Sequence, residues 1–332
     1  MTQSGNTTPF QNLDPSVILA AVESAGFSCE AELIPLNSYE NRVYQVGILD
    51  KQPMIVKFYR HGRWSDDEIL AEHAFTQELS DLDIPAVAPW RNDEGQTLHK
   101  YNEFRFSLYP RFAGRAPNLE KTEHLEQLGR LAGRIHAVGA LRPFKHRPEL
   151  NIASFGTEPR DYVLETGVLP DYLESTYKEL TDHLIEQMKN SYQLAGDVSL
   201  IRLHGDCHSG NILNTDSGFY FVDFDDSRMG PAVQDMWMCF SGTVAEQEQQ
   251  LASFVEGYEQ FHGFNARELY LIEALRTLRM MYHTAWLARR WDDPAFPIAF
   301  PWFADPKYWD DQIFGLREQS YALEAEPLKL YI

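Results

Sequence analysis

The sequence is poor in cysteine and lacks the apolar segments that direct a chain into or across a membrane. Its three cysteines, Cys29, Cys207 and Cys239, lie far apart and do not have the spacing of a metal site. We therefore expect free thiols in a reducing compartment. No apolar run is long enough to cross a bilayer, and MTQSGNTTPF at the start has neither the basic nor the apolar region of a secretory signal. These absences predict a cytoplasmic protein without a membrane partner.

Positive charge is also scarce. The chain has 29 Lys and Arg against 49 Asp and Glu, which gives a formal net charge of −20. A nucleic-acid-binding surface needs clustered basic residues, so nucleic acid is not an expected partner. The charge favours the approach of a cationic substrate or of a basic segment of another protein, although acidity also serves solubility in many cytoplasmic proteins. A nucleoside triphosphate would need a metal ion or a local basic site to bind.

Repeats and low-complexity segments are absent as well, and what remains is the composition of a folded protein. Hydrophobic residues make up 44% and aromatic residues 13% of the chain, whose length of 332 residues is sufficient for two lobes. Strand patterns occupy residues 42–59, and a capping box at residues 65–68 begins a helix. From about residue 121 the pattern is mostly helical. This order predicts an α+β fold with a strand-rich lobe over residues 1–110 and a helix-rich lobe over residues 111–332.

The stretch LHGDCHSGNILNTDSGFYFVDFDD, residues 203–226, concentrates the polar residues that suggest chemistry. Two short apolar runs flank a segment of turn formers, so a β-hairpin is expected. The hairpin would bring Asn211 at its entrance beside Asp223 at its exit, with Asp206 on the preceding loop. Carboxylate and amide oxygens of this kind suit magnesium. In phosphoryl transfer one Asp accepts the proton of the attacking hydroxyl, while an Asn and a second Asp hold the metal on the triphosphate.

The motif and its surroundings resemble a known family. The spacing H-x-D-x-x-x-x-N is that of the protein-kinase catalytic loop, and HGDCHSGNIL followed by FVDFDD resembles the loop of the aminoglycoside phosphotransferase and choline kinase superfamily. IVKFYR resembles the strand with the nucleotide lysine, and LGRLAGRIHAVG resembles a large-lobe helix. The resemblance covers most of the chain. It implies a two-lobed, protein-kinase-like fold. Residues 1–110 would form the nucleotide-binding lobe, with a small antiparallel β-sheet and one main helix, and residues 111–332 the larger, mostly helical catalytic and substrate lobe.

The same resemblance implies ATP as co-substrate, Mg²⁺ as metal ion and a role for each motif residue. Asp206 would be the proton acceptor, and Asn211 and Asp223 the magnesium ligands, with Asp223 thereby part of the catalytic set. Lys57 lies in an otherwise apolar strand, where an unpaired ammonium is costly, so an ATP phosphate and a helix carboxylate are expected to compensate it. Glu72 is the expected carboxylate, in preference to Glu68, because Glu68 already serves the capping box.

The nucleotide contacts depart from the protein-kinase pattern. No G-x-G-x-x-G precedes the lysine strand; instead Ser38, in the turn Asn37–Asn41, is expected to donate its hydroxyl and backbone N–H to a phosphate. Backbone groups around Tyr109 are expected to hold adenine, with a neighbour of Pro110 as the donor because proline has no N–H. Asp235 resembles the aspartate that braces the catalytic loop.

The identity of the acceptor stays open at this level. LNSYENRVYQ, RLHGDCHSGNIL and GPAVQDMWM resemble bacterial members that are serine/threonine protein kinases of the stress response, which favours a protein acceptor. A monomeric enzyme is expected. One alternative is a small-molecule kinase acting on choline, homoserine, an aminoglycoside or a sugar. Another is a metal-dependent hydrolase that uses His204, Asp206 and His208, although it leaves Asn211, Asp223 and Lys57 without a role. A third is an inactive nucleotide-binding module.

A long helix predicted over residues 265–291 carries three further basic residues. An apolar stripe along it indicates core packing. Its Arg276, Arg279 and His283 would face either a substrate or solvent.

Overall fold

The computed structural model describes residues 9–331, which divide into two compact units. Of the described residues, the first unit holds those up to Pro117 together with Lys145–Arg147 and Gly210–Asp225. The second unit holds Asn118–Phe144, Pro148–Ser209 and the residues from Asp226 onward. The hairpin segment 210–225 thus belongs to the strand-rich unit. The predicted lobe boundary after residue 110 instead assigns this segment to the second lobe. The functional roles of the two predicted lobes stay predictions.

An antiparallel sheet of five strands forms the frame of the first unit. The strands are β1 (Cys29–Leu36), β2 (Arg42–Ile48), β3 (Met54–Phe58), β4 (His99–Tyr101) and β5 (Phe104–Pro110). Their order in the sheet is β1-β2-β3-β5-β4. The strand β2 pairs with β3 across the connection at residues 49–53, and β3 pairs with β5 in a register that places Lys57 opposite Ser107.

Two helices with strong N-terminal caps accompany this sheet. Helix α1 (Pro15–Ser24) begins where Asp14 accepts hydrogen bonds from two backbone N–H groups, with proline at the first helical position. Helix α2 (Asp66–Asp81) begins at Ser65 with the predicted capping box, in which Ser65 and Glu68 satisfy each other's backbone N–H. α1 packs its buried face onto apolar side chains of the sheet. The predicted antiparallel sheet is confirmed, and the shorter helix α1 accompanies it in addition to the predicted main helix α2.

The predicted hairpin is also present, and it belongs to this unit. β7 (Ile212–Thr215) pairs with β8 (Gly218–Phe221), so that Ile212 faces Phe221. Backbone hydrogen bonds of 2.8 and 2.9 Å link Phe221 to Pro85 and Val87, in the segment after α2. The hairpin is therefore fixed to the same unit that carries Lys57.

The second unit is mostly helical. Its α-helices are α3 (Thr122–Gly139), α4 (Glu158–Glu165), α5 (Glu174–Ala195), α6 (Val244–Tyr258), α7 (Ile272–Arg290), α8 (Ala295–Ala299) and α9 (Pro306–Glu324). The short strands β6 (Ile201–Arg202) and β9 (Met229–Gly230) pair with each other. Helices α3 and α6 cross closely at Gly129, where an added Cβ would lie 1.9 Å from the carbonyl oxygen of Phe254. The predicted helix over residues 265–291 is a 3₁₀ turn, Ala266–Leu271, followed by α7.

Within residues 9–331, no helix combines the length and the apolar character needed to span a bilayer.

Candidate active site

Lys57 lies in a buried cluster of charges in the first unit. Its side chain is 8% exposed. Its Nζ donates to Oδ1 of Asp223 at 2.6 Å and lies 3.9 Å from Oδ1 of Asp225. Burial alone would lower the pKa of Lys57, but the two carboxylates raise it above its ordinary value. Lys57 is therefore a fixed cation at neutral pH.

Asp223 lies where the hairpin prediction placed it, beside Asn211. The N–H of Val222 donates to the carbonyl of Asn211 at 3.0 Å, so the exit of the hairpin meets its entrance. The backbone of Asp223 is left-handed, with φ at 59°, and its side chain is 51% exposed. Asn211 and Asp223 line the same cavity as Lys57. The structure therefore brings three of the sequence-predicted residues together.

Asp225 is a buried member of the cluster that the sequence reasoning missed. Arg63 Nη1 lies 2.8 Å from its Oδ2, and Asn41 donates to the same oxygen at 3.2 Å. The guanidinium of Arg147 donates to its backbone carbonyl at 2.7 Å. Burial alone would raise the pKa of Asp225, but the nearby cations, Arg63 foremost, lower it. In the sequence, only the position of Asp225 two residues after Asp223 indicates a role for it. Its contact with Asn41 joins residues that are 184 positions apart, so no local pattern predicts that contact.

Glu72 lines the same cavity but is not the ion-pair partner of Lys57. Lys57 pairs instead with Asp223 and Asp225. Glu72 is buried on α2, its Oε2 has no hydrogen-bond partner, and His73 Nε2 lies 3.7 Å away. Burial raises the pKa of Glu72 to about 7, against the opposing charge of Lys57. The carboxyl group of Glu72 thus titrates near neutral pH, and it does not contact Lys57.

The cavity has a volume of about 350 Å³ and is formed by residues of the first unit. This size is within the range of small-ligand pockets. Ser38 and Tyr109, both predicted nucleotide contacts, line it. Most of the remaining wall is apolar: Leu36, Val43, Ile55, Val87, Pro110, Phe112, Leu213, Val222 and Phe224.

Tyr109 contributes to this cavity from a hydrogen-bonded group of side chains. Its hydroxyl lies 3.0 Å from the hydroxyl of Tyr59 and 3.5 Å from Nε2 of His73. The carbonyl of Leu108 accepts from the N–H of Trp90 at 2.7 Å. The phenol of Tyr109 is thus engaged within the protein, and the carbonyl before it is already satisfied.

The oxygen donors of Asn211 and Asp223 fit a hard divalent cation. Both side chains line the cavity, and Asp225, in the same cluster, has a buried Oδ1 without a hydrogen-bond partner. Two protein ligands leave the positions that Mg²⁺ usually fills with phosphate and water. Among residues 9–331, no group of three or more His, Cys, Asp or Glu side chains is arranged to hold a metal, and this includes the three residues of the hydrolase alternative.

Asp206, the predicted proton acceptor, belongs to the second unit. Nη1 of Arg279, on α7, contacts its Oδ1, and Nε2 of His208 lies 3.6 Å from its Oδ2. Burial alone would raise the pKa of Asp206, but the hydrogen bond with His208 and the charge of Arg279 outweigh it and hold the pKa well below its usual range. The Arg279 contact spans 73 residues of chain, and no local pattern indicates it.

The loop that carries Asp206 is braced by Asp235, as the sequence predicted. The two carboxylate oxygens of Asp235 accept from the backbone N–H groups of His204 at 2.7 Å and Gly205 at 2.8 Å. His136 on α3 lies 3.2 Å from one of these oxygens. Gly205 has a left-handed φ of 88°, and an added Cβ would lie 2.2 Å from the carbonyl oxygen of Asp226. The position before Asp206 thus accepts only glycine without a shift of the backbone.

Comparison with known proteins gives consistent results. The model of the phosphotransferase enzyme family matches residues 32–271. Stress response kinase A of Escherichia coli (strain K12) is 42% identical over 321 residues, 97% of each chain. Serine/threonine protein kinase RdoA of Salmonella typhimurium (strain LT2) is 41% identical over 325 residues, 98% of each chain. A solved amicoumacin kinase in complex with AMP-PNP and Ca²⁺ has a TM-score of 0.70 at 18% identity over 95% of each chain, which shows the fold alone.

Proposed function

Because the chain belongs to the phosphotransferase enzyme family, we propose that it transfers the γ-phosphate of ATP, with Mg²⁺, to the hydroxyl of a serine or threonine in a protein. The observation that carries the proposal is the meeting of Lys57, Asn211 and Asp223 on one cavity of the first unit. The protein acceptor is supported by relatives that are 41–42% identical over nearly the whole chain, one of them named a serine/threonine protein kinase.

The cavity has groups that suit both the base and the phosphates of a nucleotide. Apolar side chains, such as Val43 and Ile55 of the sheet and Leu213 of the hairpin, provide flat walls for a base. Lys57 supplies a fixed positive charge for the phosphates, which the acidic protein otherwise repels. Ser38 lines the same cavity and would donate a hydrogen bond to a phosphate. Backbone groups around Tyr109, which also lines the cavity, would hold adenine.

Asn211 and Asp223 would hold Mg²⁺ on the triphosphate. When bound, the ion would neutralise charge on the β- and γ-phosphates. Binding of the ion would also give Asp223 a second cation, so that Lys57 becomes free to turn from this carboxylate toward a phosphate.

Asp206 would accept the proton of the acceptor hydroxyl. The hydroxyl oxygen forms a bond to the γ-phosphorus as the bond from phosphorus to the β–γ bridging oxygen breaks, and ADP leaves. Asp206 is ionised at every physiological pH, because its pKa lies below the usual range. Its role is therefore to orient the hydroxyl and to receive the proton late in the step.

The acceptor can be tested by following labelled γ-phosphate from ATP in the presence of magnesium. Acidic and basic proteins, the enzyme itself, amino alcohols and aminoglycosides would be offered to the wild type and to Asp206→Asn. We expect label on protein serine or threonine that is absent with the variant. Label on a small alcohol alone would overturn the protein acceptor, and label on no acceptor would overturn phosphotransfer.

A further inference from the structure

The carboxylate of Asp206 is bracketed by basic side chains. Arg279 contacts Oδ1, and His208 lies 3.6 Å from Oδ2. The Asp206 side chain is 23% exposed and that of Arg279 42% exposed, so both are open to an incoming molecule. An acceptor hydroxyl that reaches Asp206 must therefore approach beside the guanidinium of Arg279.

This arrangement is particular to Arg279 and is not shared by the other arginine one turn away on α7. Arg276 Nε lies 3.1 Å from Oε2 of Glu273, and its guanidinium lies 4.8 Å above the ring of Trp237. The charge of Arg276 is thus paired on its own helix, whereas Arg279 points to the carboxylate of the predicted proton acceptor. Substitution of Arg276 can therefore serve as the control for substitution of Arg279.

We propose that Arg279 determines acceptor specificity: it favours a hydroxyl flanked by a carboxylate and disfavours one flanked by an ammonium group. The inference rests on the proposed function, in which Asp206 binds the acceptor hydroxyl. The hydroxyl must come within hydrogen-bonding distance of Asp206. Charges on the residues next to it then lie within several ångströms of Arg279, where a unit charge changes binding by about tenfold even after partial screening by solvent.

The local preference is opposite to that of the whole molecule. The net charge of −20 attracts cations over long distances, whereas Arg279 repels them at the acceptor hydroxyl. Salt separates the two effects, because charges more than about 8 Å apart are largely screened at 0.15 M ionic strength. The preference for acidic flanking residues should therefore be measured at this ionic strength or above, where the contact with Arg279 persists.

The test uses three peptides taken from the protein that carries the label, identical except for Asp, Ala or Lys on both sides of the phosphorylated residue. We expect wild-type kcat/KM to favour the Asp peptide over the Lys peptide by at least about tenfold. Arg279→Gln should lower this ratio to about one or below, because the negative charge of Asp206 remains, and Arg279→Glu should invert it. Arg276→Gln is the matched control and should keep the wild-type ratio. Binding of Mg·AMP-PNP should be unchanged in all three variants, because the cavity lies in the first unit.

An inversion by Arg279→Glu is a result that a merely structural role would not produce. An equal rate with all three peptides in the wild type, or the same ratio in wild type and Arg279→Glu, would overturn the specificity role and leave phosphotransfer intact. A change as large in Arg276→Gln as in Arg279→Gln would also overturn it. If the wild type labels no protein at all, the proposed function fails, and this inference fails with it.

Discussion

At the scale of single residues, Asp223 combines an unusual backbone with a central electrostatic role. Its left-handed φ of 59° is a conformation that Asp and Asn tolerate better than most residues. Its carboxylate holds Lys57 at 2.6 Å and is the predicted ligand of magnesium. The two requirements can be separated by substitution, because asparagine keeps the backbone preference and removes the charge.

We expect Asp223→Asn and Asp223→Ala each to weaken the binding of Mg·AMP-PNP by at least about tenfold, since each removes the anionic ligand. The loss should be larger in Asp223→Ala, because asparagine keeps an oxygen donor. Asp223→Ala should lose in addition about 1 kcal/mol of the free energy of unfolding, because alanine does not favour the left-handed backbone. Calorimetric titration and urea unfolding of both variants would measure this. Wild-type affinity in Asp223→Asn would show that the carboxylate is not a metal ligand.

Glu72 gives a prediction about pH. Burial raises its pKa from 4.5 to about 7, so the folded protein holds this proton more tightly than the unfolded chain does. The resulting stabilisation is complete below about pH 4.5 and is lost as the pH rises through about 7. Glu72→Gln removes the ionisation. Between pH 5 and 8 the ligand-free wild type should lose about 3 kcal/mol of the free energy of unfolding relative to this variant.

Urea unfolding of the ligand-free proteins at pH 5 and pH 8 would test this. A difference between wild type and Glu72→Gln that is the same at both pH values would show that Glu72 does not titrate in this range.

At the scale of elements, the loop that carries Asp206 depends on hydrogen bonds from the segment after it. Asp235 accepts two backbone hydrogen bonds from His204 and Gly205, and Gln234 donates to the carbonyl of Gly205 at 3.0 Å. These bonds fix the loop immediately before Asp206. Asp235 and Gln234 lie in the second unit, and neither lines the cavity of the first unit.

We expect Asp235→Asn to lower kcat with little change in Mg·AMP-PNP binding. The amide nitrogen of asparagine cannot accept a hydrogen bond, so one N–H of the loop loses its partner at a cost of about 1–3 kcal/mol. The displaced Asp206 would then orient the acceptor poorly, which corresponds to a loss of about tenfold or more in kcat. Equal losses in kcat and in nucleotide affinity would instead show that Asp235 supports the cavity.

At the scale of the whole molecule, the sequence contained the local part of the site and not its long-range contacts. Asn211 and Asp223 were predictable as neighbours because a hairpin joins them over a short distance. The choice of Glu72 as partner of Lys57 rested on which helix carboxylate remained after the capping box. In the structure, Lys57 forms its ion pairs with Asp223 and Asp225 instead.

The contacts of Arg63 with Asp225 and of Arg279 with Asp206 had no sequence signal. Each joins residues from different elements that come together only through tertiary packing. The assignment of residues to the two units also shows this difference between local and long-range information. Helix and strand patterns predicted a strand-rich part and a helix-rich part. Residues 210–225 belong to the first unit because backbone hydrogen bonds join Phe221 to the segment after α2, and no local pattern predicts these bonds.

In the proposed mechanism, Lys57, Asn211 and Asp223 hold Mg·ATP and Asp206 serves the transfer step. The most direct test compares Asp206→Asn with the wild type in two measurements, the Kd of Mg·AMP-PNP and the rate of γ-phosphate transfer. We expect an unchanged Kd and a rate reduced by at least about a hundredfold. Near-normal transfer by Asp206→Asn would show that Asp206 does not have this role.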